Sequence, residues 1–308
     1  MKYLVIQLCD TAISYCHYQV RNIPKLISLR ALKHGLLWAI KRNLDIQILY
    51  PEYNLPDQYE NLLKDYPHIK ITSGKELKGD VLVLQDWNSI DKFDSFHKSS
   101  IVFRTTYQDF IRQYNSLNLH KFNRINIVFT DFHSFKDNDI SDYEKALQSL
   151  SDTIFALYRK GDNVQLNLIT DRMMLTGMNN CNAGIDSIAL APNGNFYLCP
   201  AFYYDNADSI GNPTDGLHIV NSHLLHLNYA PICRRCDAYN CKRCVWLNKK
   251  LTLEINTPSH QQCLMAHIER KISGKLLDRI REYGAFAPNV QIPELDYNDP
   301  FEKIISKI

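Results

Sequence analysis

Short apolar runs alternate with helical patterns through the first 170 residues of the chain. The runs are rich in valine, isoleucine and leucine, which is typical of buried strands. Helical spacing of apolar residues follows Ser28, a predicted N-cap, and recurs around residues 59–63. Ser141 and Glu144 form a predicted capping box for the longest helix, which should end before Gly161. The predicted strands lie at residues 4–8, 46–50, 69–71, 81–84, 101–103, 125–129 and 164–168.

Strands that alternate with helices favour parallel pairing, because a parallel neighbour is reached only through a long connection that covers a face of the sheet. The six or seven strands are too few for a closed eight-stranded barrel. The pattern therefore predicts an α/β fold, either an open partial barrel or a flat, doubly wound sheet.

A second pattern begins after residue 180. Two short apolar segments flank Asn193-Gly194, a dipeptide that favours the tight turn of a β-hairpin. The hairpin should bring Cys199 close to Cys181. A helical pattern starts at Cys263 and continues to residue 280, and the prolines at 288, 293 and 300 predict an extended tail beyond it.

Most of the cysteines are concentrated in this second region. Two CxxC pairs separated by only four residues can place four sulfurs in one coordination sphere, because each pair closes a tight turn. Disulfides are disfavoured, since no secretory signal precedes the chain and it is not a short secreted domain. The pattern predicts metal binding, and soft thiolates suit both zinc and iron–sulfur centres. Seven of the nine cysteines belong to it, namely Cys181, Cys199, Cys233, Cys236, Cys241, Cys244 and Cys263.

The order C-x12-G-x4-C, gap, C-x2-C-x4-C-x2-C, gap, C resembles the SPASM region of radical S-adenosylmethionine (SAM) enzymes that modify peptides. Two middle spacers are each one residue shorter than is usual in that family, which keeps zinc as an alternative metal. The resemblance implies auxiliary [4Fe–4S] clusters. By position, cluster I would be held by Cys181, Cys199 and Cys244 with one open iron, and cluster II by Cys233, Cys236, Cys241 and Cys263.

The first strand runs into a segment that resembles the C-x3-C-x2-C motif of the same family. Cys9 and Cys16 stand at its first and third positions, Tyr15 precedes the last cysteine, and Ile13 takes the middle position. In the family, three thiolates hold the cluster that binds SAM. Isoleucine offers no lone pair, and residues 49–54 lack the family's glycine-rich turn. The resemblance therefore implies a degenerate motif that has lost SAM cleavage.

The Cys-Asp-Thr…Tyr-Cys-His-Tyr opening and the Leu-Tyr-Pro second strand resemble a narrower family, the bacterial CXXX repeat peptide maturases. The resemblance implies an iron–sulfur protein that takes part in maturing a ribosomally synthesised, post-translationally modified peptide. Its partners would be the precursor peptide and an intact radical SAM enzyme, in the cytoplasm. The expected units are a degenerate radical-SAM-like partial barrel at 1–175, a SPASM region at 176–270, and a C-terminal helix and tail at 271–308.

Two alternatives remain open at this stage. One is an active radical SAM peptide-modifying enzyme in which Cys9, Cys16 and a non-cysteine ligand hold an atypical cluster. The other is a zinc-stabilised peptide-binding module. No catalytic residue is assigned; Arg104, Asp131 and His133, near strand ends, are either peptide contacts or, as we favour, surface loop residues.

Composition and charge exclude several other classes. The 308 residues are 45% hydrophobic and 22% charged, as in an ordinary globular protein. A net charge of +2 does not predict a nucleic-acid partner, and no apolar run approaches the roughly 20 residues of a membrane span. The expected surface histidines are His218, His223 and His226. The basic residues expected to offset thiolate charge are Arg234, Arg235, Lys242 and Arg243.

Overall fold

The computed structural model describes residues 1–21, 24–73, 79–91, 99–178 and 180–284. Its strands are β1 (Tyr3–Gln7), β2 (Asp45–Leu49), β3 (Ile69–Ser73), β4 (Val81–Leu84), β5 (Ser99–Thr105), β6 (Phe122–Phe129), β7 (Gln165–Leu166), β8 (Ser187–Leu190), β9 (Phe196–Tyr197), β10 (Gly211–Asn212) and β11 (Gly216–Leu217). Its α-helices are α1 (Leu29–Ile40), α2 (Asp57–Lys64), α3 (Trp87–Asp91), α4 (Tyr107–Gln113), α5 (Ile140–Tyr158), α6 (Asp171–Met174), α7 (Pro200–Tyr204), α8 (Val245–Thr252) and α9 (His260–Arg281).

These strands form one sheet in the order β11-β10-β9-β8-β1-β2-β3-β4-β5-β6-β7. From β1 to β7, each strand pairs in parallel with the next one in the sequence. A doubly wound sheet reverses its strand order partway, whereas an unbroken order means that every crossover advances in the same direction, as in a (β/α) barrel. Because β7 lies at an edge of the described sheet, the barrel is open. The predicted α/β partial barrel is confirmed, and the doubly wound alternative is wrong.

The two faces of the sheet bury different residues, because successive side chains of a strand point to opposite faces. Leu4 and Ile48 pack with Leu36 of α1 in a core on the helix-covered face. Val5 and Leu49, their immediate neighbours, belong to a separate apolar cluster on the other face, which is the interior of the barrel. The interior therefore carries an apolar lining at the strands nearest to the chain's beginning.

Strand β8 extends the sheet on the other side of β1. It runs parallel to β1, with Leu4 opposite Ile188, and turns back as the antiparallel strand β9. The predicted hairpin turn at Asn193-Gly194 is present, and Gly194 has the positive φ of 83° that glycine tolerates. The cysteine-rich region thus continues the sheet of the barrel.

Three local features differ from the sequence prediction. Helix α5 begins at Ile140 with Asp139 as its N-cap residue, because a 3₁₀ turn runs directly into it. Glu144 pairs instead with Lys271 at 2.9 Å. Strand β7 is only two residues long, since the chain turns at once and Thr170 N donates to Leu166 O at 2.7 Å.

Helix α9 starts before Cys263 and not at it. A capping box of Ser259 and Gln262 begins the helix at His260. The helix then packs along α5, where the Tyr143 hydroxyl donates to Glu269 at 2.7 Å. The predicted tail with prolines 288, 293 and 300 lies outside the described residues. Within the described ranges, no helix is both long enough and apolar enough to cross a membrane.

Candidate metal centres

The loop after β1 crosses the carboxyl ends of the parallel strands. Ile13 N donates to Tyr50 O, just beyond β2, at 3.0 Å. Further along the loop, His17 Nδ1 lies 2.7 Å from the carbonyl oxygen of Phe129, the last residue of β6. Functional sites of parallel barrels lie at this edge. The loop therefore brings both amino-terminal cysteines to the edge where chemistry is expected.

Cys9 lies at the interior end of this loop. Its thiol is buried and lies 3.2 Å from Thr11 Oγ1. Ile13, only 3% exposed, packs in the same apolar cluster as Cys9 and Leu49. The side chain at position 13 is thus part of the apolar lining of the barrel.

Cys16 is fixed by a buried arginine on β5. Arg104 Nε donates to Cys16 O at 2.8 Å, and its Nη2 donates to Tyr18 O at 2.6 Å. The remaining nitrogen, Nη1, donates to Gln85 Oε1 at 2.9 Å. Tyr18 stacks on Tyr204 with ring centroids 5.3 Å apart. These contacts hold the end of the loop against the cysteine-rich region.

Cys16 lies beside cysteines of that region. It packs with Cys199 and Cys244 around Tyr18 and Trp246 in one apolar cluster. A hydrogen bond from the Cys244 thiol holds the pKa of Cys16 well below its ordinary value, although burial opposes this effect. The same bond and burial raise the pKa of Cys244.

Cys181 and Cys199 complete this first group, which we call the Cys16 group (Cys16, Cys181, Cys199 and Cys244). Cys181 is exposed, and desolvation of its thiol together with the charge of Cys16 raises its pKa to about 11. Burial, followed by the charges of Cys181 and Cys16, raises the pKa of Cys199. The four thiols thus lie within electrostatic reach of one another.

The second group contains the first three cysteines of the two CxxC pairs. Cys236 N donates to Cys233 O at 3.1 Å, which closes the tight turn that the spacing predicted. Burial, first of all, raises the pKa of Cys233 to about 11 and that of Cys241 to about 12. The charge of Cys236 contributes to the raised pKa of both thiols.

Helix α9 lies against this second group. His267 Nε2 is 3.6 Å from Cys236 Sγ, and Asn240 Nδ2 donates to Ala266 O at 3.2 Å. Cys263 lies one helical turn before His267 and on the same face, since residues four apart are neighbours on a helix. Sequence reasoning missed His267; its spacing of four residues from Cys263 within a predicted helix could have indicated it.

Arg243 links the two groups. It is 2% exposed and donates to Leu225 O at 2.6 Å. Burial lowers the pKa of its guanidinium, and the charges of Cys233, Cys241 and Cys181 oppose this effect. It is therefore placed to offset thiolate charge, as its position in the sequence predicted. Arg234 and Arg235 are exposed, and Lys242 lies 3.9 Å from Asp171.

The remaining candidate residues have mixed outcomes. Arg104 was expected as a surface loop residue or a peptide contact; the surface expectation is wrong, because Arg104 is 4% exposed and its guanidinium makes three hydrogen bonds within the fold. Asp131 accepts from Tyr107 N at 2.8 Å and from Ser134 Oγ at 2.6 Å, so it caps local turns. The residues found exposed are His133, His218, His223 and His226.

The donor set fits a thiophilic centre. Both groups offer thiols, and backbone N–H groups point at two of the sulfurs, with Ala238 N 3.4 Å from Cys236 Sγ and Leu247 N 3.5 Å from Cys244 Sγ. Hydrogen bonds of this kind tune iron–sulfur centres. Within the described part of the chain, no three Cys, His, Asp or Glu side chains stand at the spacing of ligands around a single metal ion.

A small cavity lies between the barrel edge and the second group. Its volume is about 40 Å³, and its polar lining includes His17, Asn167, Asn240 and Glu269. It has room for ordered water but not for a drug-sized ligand, which needs about 300 Å³ or more.

Comparisons with known proteins identify the fold. No family model matches the sequence, and no curated protein matches it. A solved structure of histidine-tagged anSMEcpe with bound AdoMet superposes with a TM-score of 0.63 at 14% identity, covering 92% of this chain and 96% of that one. Native anSMEcpe with bound AdoMet and the Cp18Cys peptide gives a TM-score of 0.61 at 12% identity, covering 92% and 99%. The chain therefore has the fold of anSMEcpe over nearly its whole length.

Proposed function

We propose that this protein is an iron–sulfur protein of peptide maturation that has no radical SAM chemistry of its own. Its fold is that of a protein solved with AdoMet and with a peptide, which supports a place in peptide modification. The cysteine pattern supports the metal. The precursor peptide is the proposed partner, and an intact radical SAM enzyme in the same cytoplasm would supply the radical step.

The packing around Ile13 carries the proposal. A SAM-binding cluster needs three thiolates at the end of β1, yet Ile13 is buried with Cys9 and Leu49 in an apolar cluster. Cys16, the third residue of the motif, packs with Cys199 and Cys244. The degenerate motif therefore offers Cys9 alone to a cluster in the barrel, and one thiolate is too few to hold it.

The metal would be held by the two cysteine groups. Cys181, Cys199 and Cys244 would ligate one [4Fe–4S] cluster, and the other would be ligated by Cys233, Cys236, Cys241 and Cys263. Bound there, such clusters supply electron transfer and hold the region together. The chain's own part is to offset their charge, since the guanidinium of Arg243 is buried within electrostatic reach of Cys233, Cys241 and Cys181. In this proposal residues 176–270 are the metal-binding unit and residues 1–175 the barrel.

Metal content and SAM cleavage test the proposal together. After anaerobic purification we expect about eight irons and as many sulfides per chain, in both the wild type and Cys9→Ala. The reduced protein should form no 5′-deoxyadenosine from SAM. Formation that is lost in Cys9→Ala would make the protein an active radical enzyme instead, whereas zinc without sulfide would make it a zinc-stabilised module.

A further inference from the structure

We infer that Cys16 is the fourth ligand of the centre formed by Cys181, Cys199 and Cys244. This inference rests on the proposed iron–sulfur function and changes one part of it: the site has four thiolates and no open iron. Cys16 would thus ligate a cluster of the cysteine-rich region and not a cluster in the barrel.

The position of Cys16 is set by the fold around it. Arg104 holds the carbonyl groups of residues 16 and 18 at 2.8 and 2.6 Å. His17 Nδ1 lies 2.7 Å from Phe129 O, and its ring meets Phe132 edge to face with centroids 5.0 Å apart. Ser14 Oγ donates to Tyr18 O at 2.8 Å. Contacts on both sides of Cys16 therefore fix where its thiol lies.

That place is beside the other thiols. Cys16, Cys199 and Cys244 all pack against one apolar cluster that contains Tyr18 and Trp246. Cys9 lies in a different cluster, inside the barrel, with its thiol near Thr11 and Tyr53. The two cysteines of the degenerate motif thus have separate surroundings, although only six residues stand between them.

Charge compensation is also present. Four thiolates around a cluster carry a net negative charge, which is costly in a buried site unless cations lie nearby. Arg104 is buried on the Cys16 side, and Arg243 is buried on the Cys181 side. A fourth thiolate would therefore be tolerated here.

The ligand set has a chemical consequence. Binding requires the Cys16 thiol to release its proton and form an iron–sulfur bond. With all four irons ligated by protein, the centre would have no site for a substrate thiolate. It would then act in structure or electron transfer, and it would join the first loop of the chain to residues 181–244.

The test compares Cys16→Ala and Cys16→Ser with Cys9→Ala, a matched loss of a thiol from the same loop. Iron, sulfide and zinc are measured after anaerobic purification, and the EPR spectrum of the reduced protein is recorded with and without added 2-mercaptoethanol. We expect Cys9→Ala to match the wild type. Cys16→Ala should lose about four irons, or keep them and show an EPR signal that shifts with the added thiol. Cys16→Ser should keep the iron but change the signal, because an alkoxide replaces a thiolate.

The inference fails if both Cys16 variants keep wild-type iron and spectra that the added thiol does not alter. It also fails if Cys9→Ala and Cys16→Ala lose the same irons, because they would then share a cluster. Failure of the proposed function gives a different result, because the wild type itself would then contain zinc without sulfide or would cleave SAM. If the wild type contains zinc, the same variants still test whether Cys16 is a ligand. In that case Cys16→Ala should lose about one zinc per chain, and Cys9→Ala should lose none.

Discussion

A single guanidinium holds the loop that carries Cys16. Arg104 is 4% exposed and makes three hydrogen bonds, two of them to backbone carbonyls of that loop. In Arg104→Met these carbonyls lose a charged donor in a buried site. We expect a loss of about 3–5 kcal/mol of stability, measured as a lower Tm by circular dichroism.

The matched control for this prediction is Arg112→Met. Arg112 has a 70% exposed side chain and lies 4.0 Å from Asp109. Its loss should change stability by no more than about 0.5 kcal/mol. Equal effects of the two substitutions would mean that Arg104 does not anchor the loop.

Glu269 gives the fold a pH dependence. Its carboxyl group accepts from Tyr143 at 2.7 Å and from Asn240 at 2.7 Å, yet burial dominates and raises its pKa to about 7. An unfolded glutamate has a pKa of about 4.3, so the native state binds more protons between about pH 4.3 and 7. Stability must therefore fall as pH rises through this window, by roughly 3–4 kcal/mol in total, and stay lowered above it.

The comparison with Glu269→Gln isolates this effect. Both proteins have the same cysteines, so the contributions of these groups cancel in the difference between the two Tm values. We expect the wild type to lose stability relative to Glu269→Gln between about pH 4.3 and pH 7. A difference that stays constant with pH would refute the raised pKa.

Single residues differ in how well the sequence predicts them. The N-cap Ser28 was predicted and accepts from Ala31 N at 3.2 Å, because capping depends on three neighbouring residues. The contacts of Arg104 with the loop of Cys16 and of His267 with Cys236 were not predicted, because these partners lie far away in the sequence. The separate surroundings of Cys9 and Cys16 were also missed, since a spacing motif does not state which way a loop crosses the barrel edge.

At the scale of elements, Asp237 joins three segments. It lies in the loop between the CxxC pairs and accepts from Arg172 of α6 at 3.4 Å and from Arg270 of α9 at 2.6 Å. Arg172 also lies over the Tyr239 ring, 4.5 Å from its centre. This buried network fixes the loop of the second cysteine group between two helices.

Asp237→Asn should therefore cost about 3–5 kcal/mol, because it removes the anion that pairs with the buried guanidinium of Arg172 and with Arg270. We also expect iron to be lost from the second group first, measured as metal content after dialysis. Asp142→Asn is the control, since Asp142 forms only an exposed pair with Lys145 and should contribute about 0–1 kcal/mol. A variant at position 237 as stable as that control would disprove the anchoring role.

Strands and helices were predicted well where the local pattern is strong. The runs at 46–50 and 81–84 became β2 and β4 almost residue for residue, because apolar runs of that length suit a sheet covered on both faces. The start of α5 was missed, since the 3₁₀ turn before it has no apolar period. Which strands pair with each other is not a local property at all.

At the scale of the whole molecule, the parallel pairing of the strands in residues 1–170 was predicted, but the position of β8 beside β1 was not. This pairing and the packing of α9 on α5 mean that the barrel is covered by later parts of the chain. A chain ending at residue 175 lacks both, so we expect it to show no cooperative thermal transition. Addition of residues 176–284 should restore one, and a sharp transition of the short chain would instead show that the barrel folds alone.

The place of β8 also has a consequence for synthesis. Strand β1 leaves the ribosome long before residues 187–190, so one of its edges has no partner until those residues follow. At about 5–20 residues per second, that delay is on the order of ten to forty seconds. During this time an apolar strand with an open edge is a template for wrong pairing. The nascent chain should therefore depend most on a chaperone before the majority of its cysteines have been translated.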